Sequence, residues 1–251
     1  MFNSKGKIPK SQLPAPSKYD EYYYHQTPKT ERKWNENFIM VTSVDPATKN
    51  FAIRIEKWNA DGTIIPLVFT KTNLSENEEI SPYVSLLNFL EKYKEFLLKT
   101  HVFVVEKQVP QNYKCVRISQ HTITYFMTIT KDNPNLPSIY EVSPKLKGEY
   151  LGAPKKISEK DLKLWAVNKA IEICKQRNDK YSLEIIEKTK KKDDLSDTIV
   201  QTEALFGHIG IAVLTENINK GINLEVLNVK QPDLVLVDTV KIPIIKLKIK
   251  V

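Results

Sequence analysis

"FIMVTSVDPATKNFAIRI", residues 38–55, is the stretch that decides the fold. Apolar and small residues run from Phe38 to Val44 and stop at Asp45; after Pro46–Asn50 the chain starts back as Phe51–Ile55. A short unbroken apolar run reads as a strand buried on both faces. A carboxylate at the tip of such a strand is costly unless something there requires negative charge. Taken alone, Asp45 before Pro46 also reads as an ordinary turn residue.

The pattern continues outward from this hairpin. "FAIRIEKW" alternates as a second strand, "NADG" at 59–62 is a turn signal, and "TIIPLVFTKT" is a third strand, so the three form a meander. In "SPYVSLLNFLEKYKEFLLK", Ser81 serves as N-cap and Pro82 as the first helical residue, with Leu86, Leu90, Tyr93 and Leu97 on one stripe. "HVFVVE" returns as a buried strand and ends on a second carboxylate, Glu106. The segment Asn112–Thr130 carries β-branched residues but has the length of a helix, which the reading favours. "SIYEVSP" is a fifth strand. Ser158 with Asp161 then opens the helix "EKDLKLWAVNKAIEICKQR", and the basic "EKTKKK" leads into a last helix, "DDLSDTIVQTEALFGHIGIAVL". The expected order is three strands, helix, strand, helix, strand, helix, helix.

Three segments follow from this: a flexible basic tail at 1–36, a core at 37–215 and a β extension at 216–251. The tail is polar and Pro-dotted, with the cluster "YDEYYYHQ"; its Tyr and Lys residues either contact nucleic acid or form a solvated arm. The extension holds the strand-like runs "LEVLNV", "DLVLVD" and "IIKLKIKV". Lys246, Lys248 and Lys250 alternate there with apolar residues, which guards an edge strand against pairing or faces DNA.

Composition narrows the class. With 41% hydrophobic residues the chain can bury a sizeable core, and 38 Lys and Arg against 30 Asp and Glu leave a net charge of +8. That balance suits a polyanionic partner such as nucleic acid, although many basic proteins are merely soluble. Cys115 and Cys174 lie far apart in apolar surroundings, as buried free thiols of a reducing compartment do. No apolar run reaches the roughly 18 residues of a membrane span, and "MFNSKGKIPK" lacks the apolar region of a signal peptide. The expectation is an intracellular protein without a membrane partner or a small-molecule cofactor.

Three acidic positions stand out by placement. Asp45 closes the first strand and Glu106 the fourth, while Asp194 and Asp197 lie three apart at the start of the last helix and share a face. If the first and fourth strands are neighbours, docking that helix across their tips brings four acids together. Oxygen ligands without a His or Cys cluster point to Mg²⁺ or Mn²⁺. Two such ions can activate a water and stabilise the leaving oxygen of a phosphodiester. Singly, each acid has a plainer role: Glu106 paired with a lysine at a sheet edge, or Asp193, Asp194 and Asp197 complementing a helix dipole.

With these residues in place, the chain resembles the RuvC-like Holliday junction resolvases of the ribonuclease-H-like superfamily, in the branch found in poxviruses and other large DNA viruses. "SVDPATKNFA" is similar to the first-strand motif, "VVEKQ" to the fourth-strand Glu motif, "VSPKLKG" with "KKISEKDLKLWAVNKAI" to the fifth-strand ending and the helix after it, and "KKKDDLSD" to the final motif. The resemblance covers about residues 38–214. It implies an α/β fold with a mixed five-stranded sheet, and a homodimer that nicks four-way DNA junctions in symmetric pairs. It also implies Asp45, Glu106, Asp194 and Asp197 as metal-binding acids for Mg²⁺ or Mn²⁺, with two ions per active site. Asp193 falls in the non-ligand slot. A catalytic lysine is implied near the start of the helix after strand five, a place filled by Lys156 or Lys155. Lys49, Asn50, Lys107, Lys145, Lys155, Lys190, Lys191 and Lys192 are the implied DNA contacts; the run before the last helix also reads as a solvated charge cluster. Ala47 stands where the family usually has Gly. The helix at 112–130 is either the dimer surface, for its "ITYFM", or simply core. Alternatives are a nuclease of this fold acting on another branched or hybrid substrate, and an inactive module that only binds branched DNA. The family branch and the Lys, Asn and Ile bias suggest a large DNA virus, and so a site of viral DNA replication in a host cell.

Overall fold

The computed structural model describes residues 22–26, 38–59, 61–133 and 136–209. The expected C-terminal β extension, and the tail apart from Tyr22–Gln26, lie outside the described residues.

After β1 (Tyr22–Gln26) the meander is present as expected: β2 (Phe38–Asp45), β3 (Phe51–Asn59) and β4 (Ile64–Thr72) pair antiparallel in sequence order. A helix pair, α1 (Pro82–Glu91) and the short α2 (Lys94–Leu97), occupies the stretch read as one helix. Ser81 caps α1 by accepting from the Tyr83 N–H, and Pro82 opens it. β5 (Val102–Glu106) follows, then α3 (Tyr113–Thr130), which is helical as its length indicated, and β6 (Ser138–Val142). The last third holds α4 (Pro144–Leu151), α5 (Glu159–Gln176), α6 (Lys180–Lys188) and α7 (Asp193–Ile209). Two of these, α4 and α6, were not expected from the sequence.

A further correction is at the N-terminus. Within the segment read as a tail, β1 (Tyr22–Gln26) pairs antiparallel with β6, Tyr22 opposite Val142. The sheet therefore has six strands rather than five, in the order β1-β6-β5-β2-β3-β4, with β2, β5 and β6 parallel. Without β1, this is the mixed five-stranded sheet, β6-β5-β2-β3-β4, that the resemblance implied.

Helices cover both faces of the sheet. On one, Met40, Val44, Phe103 and Val105 pack against Leu86, Phe89 and Leu90 of α1 and Ile118, Ile123 and Phe126 of α3. The "ITYFM" residues Ile123 and Phe126 thus serve the core. On the other face, Ile39, Val41, Val102 and Val104 meet Leu146 of α4 and Ala204, Leu205 and Phe206 of α7, while Ala52 and Phe69 meet α5, α6 and α7. Burial on two faces is why these strands read as unbroken apolar runs. Cys115 and Cys174 are buried free thiols, and among the described residues no helix is long and apolar enough to cross a membrane.

A buried polar network ties the second helical layer to β3. Arg54, fully buried, donates from Nε to Glu56 Oε2 (2.6 Å), from Nη1 to Ser182 Oγ (2.6 Å) and from Nη2 to Asp179 Oδ2 (2.8 Å). Asp179 is also the N-cap of α6, accepting from the Ser182 N–H. Glu56 accepts as well from Trp58 Nε1 (2.8 Å) and Arg177 Nη1 (3.4 Å), and Arg177 pairs with Glu203 of α7.

Candidate active site

Side chains alternate faces along a strand. Asp45 therefore shares a face with Ile39, Val41 and Ser43, and Glu106 with Val102 and Val104; this is one face of the sheet, the one covered by α7 and α4. Parallel pairing sets Val44 opposite Val105, so the next residues, Asp45 and Glu106, finish neighbouring strands side by side. On α7, Asp197 lies one turn before Gln201 and two before Ala204 and Leu205, on the side that meets the sheet. Oxygens of Asp45, Glu106 and Asp197 consequently lie within 4.8 Å of one another.

A lysine sits among them, and it is not the one expected. Lys147 of α4, 7% exposed, places Nζ 2.7 Å from Asp197 Oδ1 and 3.5 Å from Glu106 Oε1. Lys155 and Lys156 are exposed in the turn before α5, Lys156 with φ of 60°, and the acids are met by Lys147 instead. The physical reason is α4. Ser143 caps it by accepting from the Lys145 N–H, Pro144 opens it and Gly152 ends it in the left-handed region, so the helix begins directly off the end of β6. Its inward side carries Leu146 and Lys147 over the strand tips. The usable signal was Ser143–Pro144, a cap followed by a first-turn proline, within the "VSPKLKG" motif.

Asp194 stands slightly apart. Its Oδ1 accepts from Lys191 Nζ (2.9 Å), and Oδ2 is buried with no hydrogen-bond donor, Lys71 Nζ being 4.0 Å away. Lys71 also donates to the Lys191 carbonyl (2.6 Å), pinning the end of β4 to the chain that leads into α7. Of the expected DNA contacts, Lys49, Lys145, Lys155, Lys190 and Lys191 are exposed, while Asn50, Lys107 and Lys192 are half-buried.

The electrostatics follow from crowding. Burial, then the carboxylates of Glu106 and Asp197, push Asp45 well above the ordinary aspartate value against the pull of Lys147. Burial also lifts Asp197 to about 6, with Lys147 opposing and Glu106 reinforcing the rise. Asp194 is raised as well, chiefly by burial, with Lys191 opposing. For Lys147, burial alone would favour the neutral amine, but Glu106 and Asp197 outweigh it and hold the ammonium charged. One buried cation facing several buried acids leaves a local excess of negative charge.

No protein-family model matches the chain. It is 34% identical to uncharacterized protein 170L of Invertebrate iridescent virus 6 over 49% of this chain, and 27% identical to uncharacterized protein 97L of Invertebrate iridescent virus 3 over 57%. The chain spans 56% and 66% of the lengths of these two curated relatives. Among solved structures it is similar to the yeast mitochondrial Holliday junction resolvase Ydc2, at 17% identity and a TM-score of 0.48, over 75% of this chain and 85% of that one. It is also similar to the fowlpox virus resolvase solved with its substrate Holliday junction DNA, at 20% and 0.45 over 72% and 100% of the two chains. Thermus thermophilus RuvC follows at 11% and 0.45, over 68% and 97%. These are likenesses of fold, at 20% identity or less and with TM-scores below 0.5.

Proposed function

We propose that the chain is a metal-dependent endodeoxyribonuclease that resolves four-way DNA junctions by a symmetric pair of nicks. The observation that carries the chemistry is the convergence of Asp45, Glu106 and Asp197 within 4.8 Å, with Lys147 against two of them. The choice of a branched DNA substrate rests on the four sequence motifs and on the exposed lysines around the cluster.

The donor set fits a hard divalent cation. It consists of carboxylate oxygens alone, burial raises the proton affinity of Asp45 and Asp197, and Asp194 keeps one buried oxygen without a donor. Asp45, Glu106 and Asp197, with Asp194 beside them, would hold Mg²⁺ or Mn²⁺, two ions by the resemblance. A metal held there would supply an activated water and would stabilise charge on the phosphate and the leaving oxygen.

The chain's own residues do the rest. Asp197 and Glu106 keep Lys147 ionised and fix its direction. An ammonium has three donors, so one remains to meet a phosphate oxygen as negative charge develops on it. Lys191 holds Asp194 in place, and the exposed Lys49, Lys145 and Lys190 meet the strand backbone nonspecifically. A junction offers two opposed strands, so two copies related by a two-fold axis place one set of acids at each. The relatives are viral proteins, and the place proposed for this activity is the processing of replicated viral DNA.

The test is cleavage of a labelled immobile four-way junction in Mg²⁺, beside linear duplex, an RNA–DNA hybrid and an Asp45→Asn control. Paired nicks in opposite junction strands, absent from duplex and control, are expected. Cleavage of every substrate indicates a general nuclease; cleavage of the hybrid alone transfers the activity to an RNA strand. Tight junction binding without cutting in Mg²⁺ or Mn²⁺ overturns the nuclease reading.

A further inference from the structure

Gln201 makes a contact that the chemistry above does not use. It lies on α7 four residues after Asp197, hence on the same face, and is 2% exposed. Its Nε2 donates to Ser43 Oγ (2.7 Å) and to the Val44 carbonyl (2.9 Å). These are the two residues immediately before Asp45, and the Val44 carbonyl belongs to the peptide that enters Asp45. A carbonyl only accepts, so the amide's NH₂ side must face it. The amide oxygen, Oε1, is left buried without a donor among the described residues.

That arrangement is expensive for stability alone. A buried acceptor without a partner carries a desolvation cost that a methionine or leucine at the same place would not. What the amide provides is direction. The other packing of α7 on β2 and β3 is apolar, through Leu195, Ile199, Val200, Ala204 and Leu205; the ion pairs of α7 go instead to Lys71, Lys147 and Arg177. Apolar contacts tolerate small slides and rotations. Two directed hydrogen bonds, one turn from Asp197 and one and two residues from Asp45, do not.

We propose that Gln201 is a positioning residue for the metal-binding acids: by clipping α7 to the peptide ahead of Asp45 it sets the separation of Asp197 from Asp45. This deepens, and rests on, the metal-dependent reading of the site. Ligand spacing decides affinity, and it weighs more on Mg²⁺, which demands near-ideal octahedral geometry, than on Mn²⁺.

The experiment uses the full chain and two variants, Gln201→Met and Ser43→Ala. Calorimetric titration with Mn²⁺ is run beside thermal unfolding in EDTA and junction cleavage in Mg²⁺ and in Mn²⁺. Gln201→Met is expected to unfold within a few degrees of wild type in EDTA, yet to bind Mn²⁺ about tenfold more weakly or worse, the range typical of lost outer-shell support. Its cleavage is expected to fall further in Mg²⁺ than in Mn²⁺. Ser43→Ala, which keeps the Val44 bond, is expected to show a smaller loss in the same direction. Unchanged Mn²⁺ affinity and an unchanged Mg²⁺-to-Mn²⁺ ratio in Gln201→Met overturn the inference while leaving the metal site standing. If Gln201→Met does not fold, unchanged affinity in Ser43→Ala overturns it. A wild type that binds no Mn²⁺ removes the reading of the site and this inference with it.

Discussion

Replacing Arg54 by alanine removes the cation at the centre of the buried network on β3. The guanidinium is fully buried, and it meets Glu56, Asp179 and Ser182 at 2.6–2.8 Å. Removing one partner of a buried ion pair costs about 3–5 kcal/mol, because the remaining charge stays buried. Two carboxylates are stranded here, but neither is wholly abandoned. Glu56 keeps Trp58 and Arg177, and Asp179 keeps the Ser182 N–H. We therefore expect a loss of about 4 kcal/mol, inside the single-pair range rather than twice it. At about 2–4 °C per kcal/mol for a domain of this size, the midpoint falls by roughly 8–16 °C. Urea titration followed by circular dichroism measures the loss directly. Acidity provides the sharper check. In the native protein both carboxylates lie below their ordinary values: burial raises each, but Arg54 outweighs it, with Arg177 helping Glu56 and Ser182 helping Asp179. A depressed carboxylate stabilises the fold above its unfolded pKa, near 4, and that contribution is lost as the pH falls through the folded value. The gap between wild type and Arg54→Ala should thus be widest at neutral pH and narrow on acidification below about pH 4. A loss under about 1 kcal/mol, or a gap that does not change with pH, refutes the idea that the network holds the second helical layer on the sheet.

Three further perturbations test the site and its support. Lys147→Met should lower junction cleavage by about 10²–10³-fold, the scale of a lost charge-stabilising donor, while a gel-shift assay shows junction binding retained. Asp45→Asn relieves a buried carboxylate crowded by Glu106 and Asp197, so the chain in EDTA should melt higher than wild type. The same variant should lose the stabilisation by saturating Mn²⁺ expected of wild type, about 2.7 kcal/mol at a hundred times the dissociation constant. In Gly207→Ala, the new Cβ runs into the ring of Tyr150 on α4. The atoms met are the far end of a half-exposed side chain that can swing aside, so thermal unfolding should show a loss under about 1 kcal/mol and junction cleavage should be unchanged.

Periodicity and strand ends alone determined much of this molecule. Runs apolar at every position mark β2 and β5 as strands covered on both faces, and a carboxylate closing each run marks the edge of a site. Three-residue spacing places Asp194 and Asp197 on one side of α7, whatever that helix packs against. These are local properties: side-chain direction along a strand or helix depends on backbone geometry that a few residues specify. Partner choice is not local. Which lysine meets the acids depended on α4 starting directly off β6, which brings Lys147 over the strand tips and leaves Lys156 in solvent. Arg54 was visible only as a charge in an apolar strand, since its partners Asp179 and Ser182 lie 125 and 128 residues away. β1 hid in a polar stretch because an edge strand draws on backbone pairing with β6 and needs no apolar run of its own. Gln201 looked like any helix polar residue until α7 docked on β2. The sequence carries the direction of each functional side chain, and only the packing of distant segments decides which of them meet.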